Sequence, residues 1–490
     1  MTTLYNLLAD IISTIKTFPD DAEPNYLDET YEQELVDCVR GILRPWHKEL
    51  DRAAIKGLPD NVYTDILSKA KTLNNYYIYR ILLCELDGNS QLGWEEIKNK
   101  TDLSGFEALN TNVNETGILI LPKVSGPQTT YKRYNINDAD VKEELLPRKT
   151  ADEWVDNLNE CFGNFYYIKK KDLNGYTLRN YMCNLTYSDT GKSEMKIGLA
   201  PLWNLPFKKM LAYDDTIKGK DEAGNRCLYL GKIEVKEKDE VFTRFCKSFK
   251  TACKNDVDIF MGPEMLGTHH LYDLDQHGFN KAIKTLTKEE KKGKVPQLIL
   301  APTLWENNSN KTNVYLQTGR KLCSQYKQHR YRFKGKKGNC REDLRGAPKE
   351  ICVIHVPQWG RITIPICIDF LFQDYREIMV KAIKADILLC PSYSPGVHNF
   401  LKALDAFSEF GVYVIWLDTC SALEMTKTGA PEMVGAVCTP SVSSKPRIER
   451  LIPKCNGECK GCLFVVTIPL NCMGEDPHED IGAKVDHVDQ

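Results

Sequence analysis

Gly360-Arg361-Ile362-Thr363-Ile364-Pro365-Ile366-Cys367-Ile368-Asp369-Phe370 is the stretch on which the fold turns. Its apolar run, Ile362–Ile368, is too short for an ordinary helix and rich in β-branched residues. It starts at a Gly-bearing turn and stops at Asp369, so it reads as a strand buried on both faces. Runs of the same kind precede it at Val257–Met261, Gln297–Ala301 and Ile351–Val356, and follow it at Asp386–Cys390 and Val412–Leu417. Between the later strands lie helical patterns at 374–385 and 398–410. A stripe of Phe242, Phe245, Phe249 and Cys253 marks a helix feeding Val257. Short buried strands alternating with helices predict an α/β domain whose sheets are covered by helices.

Working outward, this domain begins at the strand Lys196–Ala200 and reaches a late strand at Leu463–Ile468. Residues 208–239 are charged and Gly-bearing and read as a long loop. The acidic segment 474–490 is expected to be disordered. Upstream, Leu4, Leu7, Leu8, Ile11, Ile12 and Ile15 recur at helix spacing, as do Leu35, Val39, Ile42, Leu43 and Trp46. A third helical run extends from about Val62 to Leu86. Strand-like runs follow at 117–121, 164–168 and 180–187, with a short helix around Trp154 and Leu158. Residues 1–190 thus form a helical or mixed region, joined to the α/β domain (195–473) through the polar stretch 188–194. A length of 490 residues fits two to three domains.

The 65 basic and 67 acidic side chains nearly cancel, which argues against nucleic-acid binding driven by bulk charge. No apolar run is long enough to span a bilayer as a helix. The opening MTTLYNLLADIISTIKTFPDD lacks the basic start and small-residue cleavage site of a signal peptide. A cytoplasmic location is therefore expected, with most of the 18 cysteines reduced and buried.

Three strand ends each carry one reactive side chain: Glu264 after Ile259-Phe260-Met261-Gly262-Pro263, Lys327 after Cys323-Ser324-Gln325-Tyr326, and Cys367 after Ile364-Pro365-Ile366. In an α/β fold, groups at strand ends converge on one crevice. Taken singly, Cys367 reads as a small buried hydrophobe, Glu264 as a capping or solvated carboxylate, and Lys327 as a surface charge. Their order and shared strand context give them a joint meaning.

That ordered trio resembles the Glu-Lys-Cys triad of the nitrilase superfamily, the carbon–nitrogen hydrolases, over residues 195–470. The Pro263-Glu264 pair, the turn Thr318-Gly319-Arg320 before Lys327, His329 after it, Asp369 two residues after Cys367, and Pro391-Ser392 all match. The resemblance implies a four-layer αββα sandwich, often paired into dimers, and hydrolysis of a small-molecule amide or nitrile, the amide first, through a Cys thioester, with no cofactor and no metal. It implies a second Glu between Lys and Cys, for which Glu342 is the candidate and Asp343 the rival. His269, Asp369 and Tyr393 are candidate substrate contacts. Homo-oligomers are expected through the helix at 398–410, with Phe400, Leu401, Leu404 and Phe407. A protein partner is conceivable through residues 1–190.

The sequence departs from the family pattern in four places. Ile368 replaces the usual aromatic after the Cys, Leu371 an Arg, and Asp418 an Asn, and forty residues separate Lys327 from Cys367. The alternative function is a catalytically weak nitrilase-like sensor or assembly module. Such domains also occur in bacterial defence proteins fused to reverse transcriptases, but residues 1–190 carry no polymerase signature. Tyr213-Asp214-Asp215 lacks the intervening residue of a polymerase metal motif. Cys455, Cys459 and Cys462 are three close thiols, with only Cys438 or Cys472 as a fourth, whereas zinc takes four ligands. The basic run Arg330–Lys337 reads as a solvated loop.

Overall fold

The computed structural model describes residues 4–15, 17–18, 29–50, 58–99, 117–122, 165–183, 193–202, 207–220, 224, 226–268, 294–335, 338–356, 358–394, 396–408, 412–420, 433–440, 447–453, 462–470 and 483–488. The chain divides into two compact units, the first within residues 1–175 and the second beginning at Tyr176.

In the first unit the apolar spacing produces the helices Leu4–Ile15 and Glu29–Leu43. The run after Val62 is two helices, Asp60–Leu73 and Tyr76–Asn99, rather than one. Asn74 separates them by adopting a left-handed conformation (φ 44°), from which its N–H donates to the Ala70 carbonyl. Asn tolerates that region because its short polar side chain bonds locally. Ile118–Pro122 and Phe165–Lys169 pair antiparallel. Helices and strands share one core containing Leu4, Ile11, Ile66, Leu82 and Phe165. Burial in that core stabilises helices that would be marginal alone in water. The short helix expected near Trp154 and residues 188–192 of the polar junction lie outside the described residues. Thr177–Met182 belongs to the second unit, because it pairs in parallel with Glu350–Val356.

The second unit holds two large sheets. In the eight-stranded one the order is Lys321–Tyr326, Ser309–Leu316, Leu298–Leu300, Ile259–Met261, Glu194–Leu199, Leu463–Pro469 and Lys484–Val488, with Leu304–Glu306 also paired to Ser309–Leu316. In the seven-stranded one it is Arg447–Arg450, Gly435–Thr439, Tyr413–Leu417, Ile387–Pro391, Gly360–Thr363, Glu350–Val356 and Thr177–Met182. Ile197, Ile259 and Leu298 of the first sheet share a core with Ile354, Ile362, Ile387 and Ile415 of the second, so the sheets pack face to face. Alternate side chains point away from that core, as the pleat requires. Phe260 meets Phe245 and Phe249 of the helix Lys238–Lys254 edge-on, each at 5.4 Å. Trp416 stacks at 4.7 Å on Phe400 of the helix Val397–Ser408. Phe400, Leu404 and Phe407 of that helix are buried within the chain and Leu401 is half-buried. The apolar face expected to stay open for a second copy is thus largely used internally.

Two stretches read as loops are strands of a third sheet, ordered Arg332–Gly335, Gly338–Glu342, Arg226–Val235 and Leu211–Lys220. Leu230, Ile233 and Val235 bury one face, while charged residues occupy the other. The density of charge hid the alternation. Asp214 of the Tyr213-Asp214-Asp215 stretch accepts both the N–H (2.8 Å) and the hydroxyl (2.7 Å) of Thr216. Within the basic run Arg330–Lys337, Arg332–Gly335 is a hairpin strand rather than a loop. Lys484–Val488 also departs from expectation. It adds an edge strand antiparallel to Leu463–Pro469, so these five residues of the acidic segment are ordered by ladder hydrogen bonds.

Gly360, which opens the strand leading to Cys367, has φ +83°, and a Cβ there would meet the Asp386 carboxylate at 2.3 Å. Asp386 cannot simply withdraw, since it accepts the Arg361 N–H at 2.8 Å. Gly360→Ala should therefore destabilise the protein by about 1–3 kcal/mol. Thermal unfolding would show this as a lowered Tm, and an unchanged Tm would contradict it.

Candidate active site

The three sheets each deliver part of one site. Glu264 and Lys327 follow the ends of Ile259–Met261 and Lys321–Tyr326 in the first large sheet. Cys367 and Tyr393 come from the second, after Gly360–Thr363 and Ile387–Pro391. Glu342 ends the Gly338–Glu342 strand of the small sheet. All four ionisable or nucleophilic side chains, Glu264, Lys327, Glu342 and Cys367, are buried.

Lys327 is the hub. Its Nζ donates to Glu264 Oε1 at 2.8 Å, and lies 2.9 Å from Oε1 and 2.7 Å from Oε2 of Glu342. Burial alone would favour the neutral amine, but the two carboxylates and Cys367 outweigh it and hold Lys327 charged well above the ordinary lysine range. Its ammonium thus reaches three carboxylate oxygens, one of Glu264 and two of Glu342. Glu342 is pushed up by burial, with Lys327 pulling it back and Glu264 raising it further. The main chain of Tyr331 clamps Glu342. Its N–H donates to Oε2 at 2.8 Å, and its carbonyl accepts the Glu342 N–H at 3.0 Å. The rival, Asp343, is buried elsewhere, in a two-pronged pair with Arg345 at 2.7 and 2.8 Å.

Cys367 sits in the left-handed region (φ 51°) at the start of the turn Cys367–Leu371. Such a conformation costs a non-glycine residue about 1–2 kcal/mol, and it aims the side chain off the strand axis. The Tyr393 N–H donates to Glu264 Oε2 at 2.9 Å and is among the groups that lower the Cys367 thiol. Burial, reinforced by Glu264 and only partly opposed by Lys327 and the Tyr393 N–H, holds the Cys367 thiol well above the usual thiol value, so it rests as the neutral thiol.

Asp369, expected to contact substrate, is a buried bolt. It accepts the N–H groups of Gln328 (3.0 Å), His329 (2.7 Å) and Ile366 (3.3 Å), and lies 3.0 Å from His329 Nδ1. These bonds tie the chain after Lys327 to the turn at Cys367, leaving the carboxylate occupied by protein. Tyr393 is at the site, but its main-chain N–H makes the contact to Glu264. His269 lies outside the described residues, as do Cys455, Cys459 and Cys472. Cys438 and Cys462 are buried. Asp418, in the place of an expected Asn, is buried and accepts the N–H groups of Thr419 (2.7 Å) and Ser394 (3.3 Å). Burial and the nearby Glu264 push its pKa well up. A protonated Asp418 is neutral, as an Asn would be. Sequence reading missed Asn310, whose Nδ2 donates to Glu264 Oε1 at 2.8 Å. It lies in the Asn- and Thr-rich strand Ser309–Leu316, whose polar composition gives no strand signal.

With this geometry in view, solved structures can be set beside it. The structure is similar to solved structures of nitrilase-superfamily proteins. One is a mutant of the amidase from Nesterenkonia sp. AN1 in which acrylamide has added to the active-site cysteine, at 15% identity over 56% of this chain and 94% of that one, with a TM-score of 0.33. A second mutant of the same amidase is in complex with butyramide, at 15% identity, 56% and 91% coverage and a TM-score of 0.33. Another is Saccharomyces cerevisiae Nit3, a member of branch 10 of the nitrilase superfamily, at 13% identity, 55% and 93% coverage and a TM-score of 0.31. No protein-family model and no curated protein sequence matches the chain. The second unit is a mixed α/β fold with several sheets, and no helix among the described residues is long and apolar enough to cross a membrane.

Proposed function

We propose that this protein is a carbon–nitrogen hydrolase that cleaves amides through a thioester on Cys367. The observation that carries the reading is the buried lock on Lys327. Its ammonium is held between Glu264 and Glu342, while Asn310 and the Tyr393 N–H hold Glu264, and all of these charges bear on the Cys367 thiol. In this reading the fold is a four-layer αββα sandwich, with the helices Lys238–Lys254 and Val397–Ser408 as its outer layers.

Glu264 Oε1 already accepts from Lys327 and Asn310, and Oε2 accepts from Tyr393, leaving Oε2 a lone pair for the thiol proton. As sulfur attacks the amide carbon, that proton passes to Glu264 and the carbonyl π pair moves to oxygen. The resulting oxyanion lies against the Lys327 ammonium, which turns one N–H from the two Glu342 oxygens toward it. Collapse breaks the C–N bond, and Glu264 gives its proton to the departing amine. Water then loses a proton to Glu264 as it attacks the thioester. The thiolate leaves and takes the proton back, restoring the thiol and releasing the carboxylic acid. Glu342, clamped by Tyr331, keeps Lys327 charged and in place throughout.

Ammonia release from a panel of primary aliphatic and aromatic amides tests this directly. Turnover is expected in the wild-type protein and not in Cys367→Ala. A folded protein that turns over no member of the panel would favour the sensor or assembly role.

A further inference from the structure

Asn310 is buried at 1% exposure, and its side chain divides cleanly into two halves. Glu264 Oε1 accepts from the Lys327 ammonium at 2.8 Å, so the Asn310 amide turns its donor Nδ2 toward the same oxygen, also at 2.8 Å. Oδ1 is then left buried with no hydrogen-bond partner among the described residues. A buried carbonyl without a donor is costly, and few persist without a reason. The residue is also held in place by its own backbone, since the Asn310 carbonyl accepts the Lys327 N–H at 2.8 Å. One residue therefore braces Lys327 through the main chain and Glu264 through the side chain, and keeps a vacant acceptor beside the carboxylate.

We propose that Asn310 Oδ1 receives the N–H or O–H group that exchanges a proton with Glu264. That group is the departing amine in the first half-reaction and the hydrolytic water in the second. Both occupy the same place, because the same carboxyl serves both. Asn310 is thus a further binding residue of the reaction, and its ligand is a small neutral donor, ammonia or water. The inference rests on the thioester reading of the site.

Burst kinetics with p-nitrophenyl acetate separate the two. Its phenolate leaves without a proton, so acylation of Cys367 does not need the amine position, whereas hydrolysis of the acetyl-enzyme needs the water position. Wild-type protein should release a burst of one p-nitrophenolate per site and then turn over slowly. Asn310→Leu also loses the bond to Glu264, so the burst should slow too, but steady-state hydrolysis should slow by about tenfold more than the burst, the size of one further lost hydrogen bond. Asn310→Asp, isosteric and still an acceptor, is the second variant. It should show a smaller difference between the two phases than Asn310→Leu. No burst in the wild type, with no acetyl group on Cys367, would overturn the thioester reading and this inference with it. A normal burst with unchanged hydrolysis in Asn310→Leu would overturn the inference alone. So would equal loss of both phases in both variants, which marks a purely structural residue.

Discussion

Lys327→Met should abolish turnover and make the fold sensitive to alkaline pH. The ammonium neutralises two buried carboxylates and offers the donor for the oxyanion, so its loss should cost at least ~10²-fold in rate. It should also cost about 3–5 kcal/mol in stability, the usual penalty for leaving a buried charge without its partner. The sign of the pH effect follows from Glu342, which burial raises even with Lys327 beside it. A carboxyl with a raised folded pKa contributes stability that is fully present below its unfolded value and is lost as pH rises through the folded value. In the variant only the Tyr331 N–H still pulls that value back, so the Tm should fall as pH rises above the ordinary glutamate pKa of about 4.3. In the wild type Lys327 itself is raised, so its contribution is lost only above the ordinary lysine pKa of about 10.4. Thermal unfolding across pH distinguishes the two. A variant as stable as wild type at pH 8 would show that the carboxylates do not depend on Lys327.

Glu264→Gln should separate thiol reactivity from catalysis. Turnover should fall by about 10²–10⁴-fold, because the group that takes the thiol proton and returns it to the amine is gone. Alkylation of Cys367 by iodoacetamide should not fall with it. Glu264 is among the groups that push the thiol up, so removing its charge makes the thiolate easier to form. Intact-protein mass gives the alkylation rate and ammonia release gives the turnover. Retained turnover would exclude Glu264 as the proton carrier, even if Cys367 proved essential.

The parts of this molecule that could be read from sequence are those where one physical term dominates. Ile387–Pro391 and Tyr413–Leu417 are buried on both faces, so an apolar run was enough to place them. Glu264 and Cys367 follow short buried strands, whereas Lys327 follows the half-exposed strand Lys321–Tyr326, so only its place in the ordered trio pointed to it. Glu342 could be reached only by resemblance, because its position depends on a hairpin, 332–342, that sequence reading took for a basic loop. The strand Ser309–Leu316 buries polar groups that pair across the sheet. Thr312 bonds the Ala301 carbonyl at 2.7 Å, and Ser324 donates to Asn313 at 2.6 Å. Such a strand has no hydrophobic pattern to detect, and Asn310 was hidden with it. Asp369 was misjudged for a related reason. A carboxylate near a nucleophile reads as a substrate contact until the main-chain donors that fill it are seen. The break at Asn74 likewise depends on one residue's tolerance of a left-handed conformation, which helical periodicity cannot show.

The thioester on Cys367 is the claim from which the rest follows. Rapid acid quench of the protein during turnover of an amide, followed by intact mass and peptide mapping, looks for it directly. The mass should rise by that of the acyl group, on the peptide containing Cys367, and the adduct should accumulate further in a variant slowed in hydrolysis such as Asn310→Leu. Amide turnover with no acyl adduct at Cys367 in either protein, or with an adduct on another residue, would contradict the account.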